Sequence, residues 1–494
     1  MRLNDSGLYL SLMLETLQTT IAPELQSPTA QVANAIMQNC LKELLRRESK
    51  TPALLAEANR QGLALLEEMR KTLPGETQPL AAGQQGTAEA TGKMLQQLID
   101  DNAALTQEMT LLSRALSMLP AGQRPDSVTG LLKRAAQWEL QFHVDLLWEL
   151  PATSGVNAQL DPLPLEVLQR FLRSVHPDGQ GVTVKDMQRA EGGSGKQTFL
   201  FTLVDGSGRE SSLVARKSDC VPMVTRDAFI IEREFHLLLA LSRAGYKVAK
   251  PLWLGKNVPE TDGDFFVMER VAGRIPGTFL DGAQQIPERY LLDLAELLAR
   301  LHNIELEKFD DYIRQFDSPA LLGETIEQCC HRTIAEWRTY AAESREQPPS
   351  PVTEYLIDWL GRNVPKHSGR PVLVHGDFNI HNILGHEGRV SGVLDWECAL
   401  FGAPEQDLAY IRPHISKHID WDQFVAHYLK SGGKPLDIAT FDFYNAFAIM
   451  RILHGVLRSG SNLLTRATKD NRLFMIQLGY LPQFMGLALG STTD

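Results

Sequence analysis

Three side chains in the C-terminal half have the types and spacing that phosphoryl transfer requires. The stretch VLVHGDFNIHNILGHEGRVSGVLDWE runs from Val372 to Glu397 and holds two short apolar runs. The first, Val372 to Val374, leads into His375-Gly376-Asp377, and the second, Val390 to Leu394, leads into Asp395. Asn382 lies between the two carboxylates. Two strand-like segments thus each deliver an acid at a C-terminal end, with an amide between them. One carboxylate can orient an attacking hydroxyl and take its proton. The other, with the amide oxygen, can hold the Mg²⁺ that screens a triphosphate.

Composition bounds the rest. A chain of 494 residues, 43% hydrophobic, is long enough for two to four domains with real cores. The formal charge of −11 argues against nucleic acid as a partner. Most of the excess acid lies beyond residue 281, which would suit a cationic substrate and equally serves solubility. The five cysteines are scattered and form no CxxC pair. That spacing favours a reducing compartment over a disulfide framework or zinc site. No run approaches 18 apolar residues, so no membrane span and a cytoplasmic location are expected.

Residues 1–150 read as helices. Ser27-Pro28 and Thr51-Pro52 are helix starts, the second residue of each pair suiting the first helical position. Val32, Ile36, Cys40 and Leu44 mark one face. Residues 74–92 read as a linker, and further helices are expected from Met94 to Met118 and from Ser127 to Leu150. The prolines and glycine of 151–163 place a domain boundary there. Alternation then begins, with strands at Phe199–Val204 and Ser212–Arg216 around the turn Asp205-Gly206. A helix from about Asp227 to Ala244 and strands near Leu252 and Phe265–Glu269 follow. The chain beyond 281 is mainly helical except around the opening motif. The expected fold class is α+β, with an all-α domain (1–150), a sheet-rich lobe (163–270) and a larger helical lobe (271–494).

The segment H-G-D-x-x-x-x-N followed by D-x-E resembles the catalytic and metal-binding loops of kinase-like small-molecule phosphotransferases, the family of aminoglycoside phosphotransferases and choline kinase. The resemblance covers roughly 165–460. It implies a two-lobed kinase-like fold, ATP as donor with GTP left open, and Mg²⁺. By position it makes Asp377 the catalytic base, Asn382 and Asp395 the metal ligands, and His375 a support for the loop. Upstream, Glu191 to Thr198 (EGGSGKQT) would bring backbone amides to phosphate through Gly193 and Ser194. The family often has Ser-Asn where this chain has Gly195-Lys196. Arg216 takes a place usually held by Lys, paired with Glu234. Side chains alternate along a strand, so Lys217 points the other way unless a bulge intervenes, and either could hold the phosphates. Glu269 and Val271 would offer hinge backbone groups to the purine. His302 reads as structural, and Asp407, in Gly402 to Ala409, as a brace for the catalytic loop.

The acceptor implied is a small molecule with a hydroxyl. A hydroxyacyl-CoA or related catabolic metabolite is one candidate, an aminoglycoside-type antibiotic another, and a nucleotide-binding scaffold without turnover a third reading. Thr325–Tyr340 and Phe441–Ser459 are candidate lining segments. Arg451, His454 and Arg458 on the latter would favour an anionic acceptor if they face a cleft, or form a solvated face if not. The N-terminal region resembles small helical accessory proteins encoded beside some bacterial phosphotransferases, and its apolar stripes suggest a homodimer.

Overall fold

A computed structural model describes residues 6–26, 28–48, 50–73, 95–145, 163–190, 196–218, 230–276, 286–344, 347–465, 477 and 480–492. The expected linker at 74–92, Ser27, most of the boundary at 151–163 and the glycine-rich stretch 191–195 lie outside them. The helices are α1 (Ser6–Thr16), α2 (Pro28–Glu48), α3 (Thr51–Thr72), α4 (Leu95–Ser117), α5 (Ser127–Asp145), α6 (Leu165–Val175), α7 (Ile231–Arg243) and α8 (Glu288–His302). They continue as α9 (Asp310–Phe316), α10 (Ile326–Glu343), α11 (Pro351–Arg362), α12 (Glu405–Ile415), α13 (Trp421–Lys430), α14 (Phe441–Leu464) and α15 (Leu481–Gly490). The fold is α+β, with helices preceding a five-stranded sheet as the alternation predicts.

The chain forms two compact units. The first comprises residues 1–158, Ile334–Asn363 and Ile449–Asp494, and the second Gln159–Thr333 and Val364–Ala448. In the first unit, α3 buries Leu55, Ala58, Asn59, Gly62, Leu65, Leu66 and Met69, a stripe at helical spacing. Gly62 is where the Trp138 indole packs against α3. A Cβ there would come within 2.9 Å of the ring, while the indole N–H donates to the Ala58 carbonyl at 2.8 Å. The helices are further tied by buried ions. Both Arg124 Nη atoms bond Asp358 at 2.8 Å. Arg114 pairs with Glu354. Glu139 accepts from Ser350 Oγ at 2.9 Å and from the Val352 N–H at 2.8 Å at the start of α11. Arg451, His454 and Arg458 are no solvated face. His454 and Arg458 are buried in this unit, with His454 beside Trp337 and Tyr340.

The second unit carries the sheet. Strands β1 (Thr183–Arg189), β2 (Lys196–Val204), β3 (Glu210–Ser218), β4 (Pro251–Gly255) and β5 (Phe265–Glu269) stand in the order β1-β2-β3-β5-β4, all pairs antiparallel. Period-two alternation turns Phe199, Phe201, Leu203, Leu213, Ala215, Phe265 and Val267 onto one face, under Val167, Leu168, Phe171 and Leu172 of α6. The opposite face takes the even-numbered residues of β2 and β3, and with them the charges discussed below. Two small sheets follow: β6 (Val372–Val374) with β9 (Leu400–Gly402), and the hairpin of β7 (Ile383–His386) and β8 (Arg389–Val393). Among the described residues no helix is long and apolar enough to cross a membrane.

Two outcomes test this packing. Gly62→Ala should lower the melting temperature, with about 1–3 kcal/mol lost to overpacking against the indole, and an unchanged melt would contradict the contact. Burial pushes the Glu139 carboxyl up to about 7, the hydrogen bonds from Val352 and Ser350 opposing it only in part. The folded state therefore holds this proton more tightly than the unfolded chain. The stabilisation is complete below the ordinary value of 4.5 and fades as pH rises towards 7. Glu139→Gln should gain on the wild type by about 2–3 kcal/mol between pH 5 and pH 8 in calorimetric melts. A pH-independent difference would contradict the buried-acid account.

Candidate functional site

The loop after β6 is held by one acid. Asp407, near the start of α12 and with no exposure, accepts the N–H of His375 at 2.8 Å through Oδ2 and that of Gly376 at 2.8 Å through Oδ1. His302, at the end of α8, donates from Nε2 to Asp407 at 3.3 Å, and its Nδ1 lies 3.0 Å from the Tyr428 hydroxyl. His375 in turn ties the two halves of the motif. Its Nε2 reaches the Leu394 carbonyl at 2.8 Å, and its Nδ1 accepts the Asp377 N–H at 3.2 Å. Both contacts are satisfied by one tautomer, with the proton on Nε2. Trp396 packs on the His375 ring at 4.6 Å and on Tyr246 at 5.7 Å. Gly376 has φ +79°, a backbone state a side chain would strain.

Asp377 emerges from this loop with both oxygens engaged. Tyr410 donates to Oδ1 at 2.7 Å, and Asn382 Nδ2 donates to Oδ2 at 2.9 Å and to the Asp377 carbonyl at 3.0 Å. His381 Nε2 stands 3.4 Å from Oδ2. Burial works to raise the Asp377 carboxyl. The bond and charge of His381, the Tyr410 hydroxyl and His375 outweigh it and hold the group down at about 2. The same contact holds His381 above its ordinary value against the effect of its own burial. The amide of Asn382 spends its nitrogen on Asp377, which leaves its oxygen for a cation.

Asp395 ends the second apolar run in a left-handed conformation, φ 61° and ψ 66°. That state is uncommon for a residue with a side chain and marks a position fixed by its surroundings. Asp395 pairs with the Arg216 guanidinium. Burial raises this carboxyl, and Arg216 and Lys196 bring it below the usual range. Arg216 also lies 3.2 Å, through Nε, from Glu234 Oε1. The register of β2 on β3 runs without interruption from Lys196↔Ser218 to Val204↔Glu210, so no bulge turns Arg216 away. Lys217 faces the other way, 1% exposed, and pairs with Asp262.

A further cation converges here. Lys196, the first residue of β2, places Nζ 2.7 Å from Glu234 Oε2 and 2.9 Å from Glu397 Oε2. Its side chain is 2% exposed. Burial lowers the ammonium pKa, and Glu234 and Glu397 more than reverse that. The family motifs assign no part to Lys196, His381, Glu397 or Tyr410, although the first three lie within the matching stretches. Strand parity puts Lys196 on the Arg216 face, helical spacing puts Tyr410 beside Asp407, and the loop entering the short 3₁₀ turn Ile380–Asn382 brings His381 back to Asp377.

The remaining expected residues fall as follows. Gly193 and Ser194 lie in 191–195, outside the described residues. Glu269 ends β5 with its side chain exposed and its N–H bonded to the Lys250 carbonyl at 2.9 Å. Val271 follows and closes on Gly392 of β8, where a Cβ would meet its Cγ1 at 3.0 Å. Among the described residues no three His, Cys, Asp or Glu converge as a metal cage. A Mg²⁺ ion keeps several waters and binds one or two protein oxygens plus substrate phosphates. Asp395 and the Asn382 oxygen are the donors on hand.

The sequence profile of the phosphotransferase enzyme family matches residues 186–446, more than half of the chain. Among curated proteins, acyl-CoA dehydrogenase family member 11 of Mus musculus is 34% identical over 256 residues, 49% of this chain and 30% of that protein. The Gallus gallus protein of the same name is 35% identical over 271 residues, 53% and 32% of the two chains. The probable acyl-CoA dehydrogenase IBR3 of Arabidopsis thaliana is 27% identical over 337 residues, 58% and 39%. The chain thus spans about a third of the length of these relatives. Among solved structures, a putative aminoglycoside phosphotransferase from Ralstonia eutropha JMP134 is 20% identical. That match covers 67% of this chain and 98% of the other, with a TM-score of 0.46.

Asp407→Asn should destabilise the chain, because an amide nitrogen must then face one of two buried N–H groups. A loss of about 2 kcal/mol or more is expected in urea unfolding, and a wild-type midpoint would contradict the bracket.

Proposed function

This chain belongs to the phosphotransferase enzyme family, and on that footing we propose that it moves the γ-phosphoryl of ATP to a hydroxyl of a small molecule. The observation that carries the reading is the setting of Asp377: an ionised carboxylate fixed by Tyr410, Asn382 and His381. Asn382 stands ready for a metal on its other side, and the second loop ends in Asp395.

Asp377 accepts a hydrogen bond from the acceptor hydroxyl and aims its oxygen at the γ-phosphorus. Its low pKa makes it a weak base, which fits a loose transition state, where the nucleophile's proton need not leave until the new bond is largely formed. The acceptor O–P bond forms, the bond from the γ-phosphorus to the bridging oxygen breaks, and ADP leaves. The acceptor's proton passes to Asp377 and then to solvent. Mg²⁺ held by Asn382 and Asp395 would screen the charge on the transferring phosphates. Glu269 and Val271 would present backbone to the purine, and Gly193 and Ser194 would approach the phosphates. Positioning and charge screening supply most of the rate.

For the acceptor we propose a hydroxyacyl-CoA. The support is that relatives more than 30% identical over about half of this chain carry acyl-CoA in their names. Release of ADP by the pure protein tests this against hydroxyacyl-CoAs, amino alcohols, sugars and aminoglycosides. Release dependent on hydroxyacyl-CoAs alone is expected, and release with aminoglycosides alone would overturn the choice of acceptor. Asp377→Ala should keep the fold and nucleotide binding while turnover falls by about 10²- to 10⁴-fold. Wild-type turnover in that variant would remove Asp377 from the role of base.

A further inference from the structure

Glu234 has two cations, one on each oxygen. Arg216 takes Oε1 and Lys196 takes Oε2. The pairing of β2 with β3 explains how both arrive. Lys196 lies across from Ser218, and Thr198 across from Arg216, so the two cations are diagonal neighbours on one face of the sheet. They differ in what else they hold. The Arg216 fork is shared between Glu234 and Asp395, the acid proposed to hold the metal. Lys196 bridges Glu234 and Glu397, and it directly follows the glycine-rich stretch in sequence.

We propose that Lys196 is the cation that grips the donor's α- and β-phosphates, and that Arg216 is a positioning residue that fixes Asp395. The proposal rests on the nucleotide reading above and reverses the assignment that strand position alone gives Arg216. The chemistry of the two side chains carries it. A guanidinium is a rigid plane, and one set by Glu234 through Nε and by Asp395 through Nη2 can turn to a phosphate outside that plane only by giving up one of its two carboxylates. Giving up Asp395 would loosen the acid on which the metal depends. An ammonium is a point charge with three donors on a rotatable stem. It can stay on Glu234 and turn a donor to a phosphate oxygen. Charge balance agrees. Glu234, Asp395 and Glu397 outnumber Lys196 and Arg216, so the cluster attracts a divalent cation and can then accept a polyphosphate. A Lys at 196, where the usual pattern has Asn, would restore the mobile cation that an Arg at 216 does not supply.

The test compares two ligands that differ only in phosphate. Affinities for ADP, with the metal chelated, and for adenosine are measured by titration calorimetry on the wild type, on Lys196→Met and on Lys196→Met/Glu397→Gln. The double variant removes one charge of each sign, so it keeps the buried balance if the single variant folds poorly. In the folded variants ADP affinity should fall about 10- to 100-fold, while adenosine affinity stays within about threefold. Arg216→Lys should bind metal-free ADP as the wild type does yet lose kcat. Equal losses for ADP and adenosine would make Lys196 merely structural, and unchanged ADP affinity would remove it from the phosphates. Either result overturns the proposal. A wild type that binds neither ligand would instead overturn the nucleotide reading beneath it.

Discussion

Burying a charge is expensive unless it is paired, and the site of this chain is organised around that constraint. Glu234, 3% exposed on α7, needs cations facing it. Antiparallel register delivers two of them to the same face of the sheet, and those two hold Asp395 and Glu397 of the second loop. The sheet, the helix beside it and the acidic loop are thus joined through five side chains. Glu234, Lys196 and Arg216 each hold two partners, so removing any one of them takes a partner from two charges at once.

The other half of the site obeys the same rule with backbone groups. A tight turn at Gly376 points N–H groups inward, where water cannot reach them. Asp407 satisfies two at once, and His302 and His375 complete the set. The result is a loop in which Asp377, the proposed base, is placed by the residues around it. Tyr410 belongs to both systems, since it lies on the helix that carries Asp407 and donates to Asp377.

Much of this was legible in the sequence because it depends on short-range order. The hairpin of β2 and β3, the strands at 251–255 and 265–269, and the helices at 51–72 and 95–117 all follow from period and punctuation. The parity argument for Arg216 against Lys217 also held, because no bulge interrupts the register. What escaped depends on long-range pairing. Lys196 looks like part of a turn until β3 lies against it and α7 presents Glu234. Helical spacing showed that Arg451, His454 and Arg458 share a face but could not show that this face is buried. Likewise no periodicity says that residues 334–363 and 449–494 join residues 1–158 in one compact unit. Local physics gives no class of acceptor, and the one proposed rests on the names of relatives alone.

The chemistry proposed for this site is transfer of a phosphoryl group to a hydroxyl. Phosphorus NMR of the pure protein with Mg-ATP and a hydroxyacyl-CoA tests it most directly, because it sees the new bond itself. A phosphomonoester resonance should grow in step with that of ADP and be absent with Asp377→Ala. Growth of inorganic phosphate in place of the ester, or an ester signal that survives loss of Asp377, would contradict it.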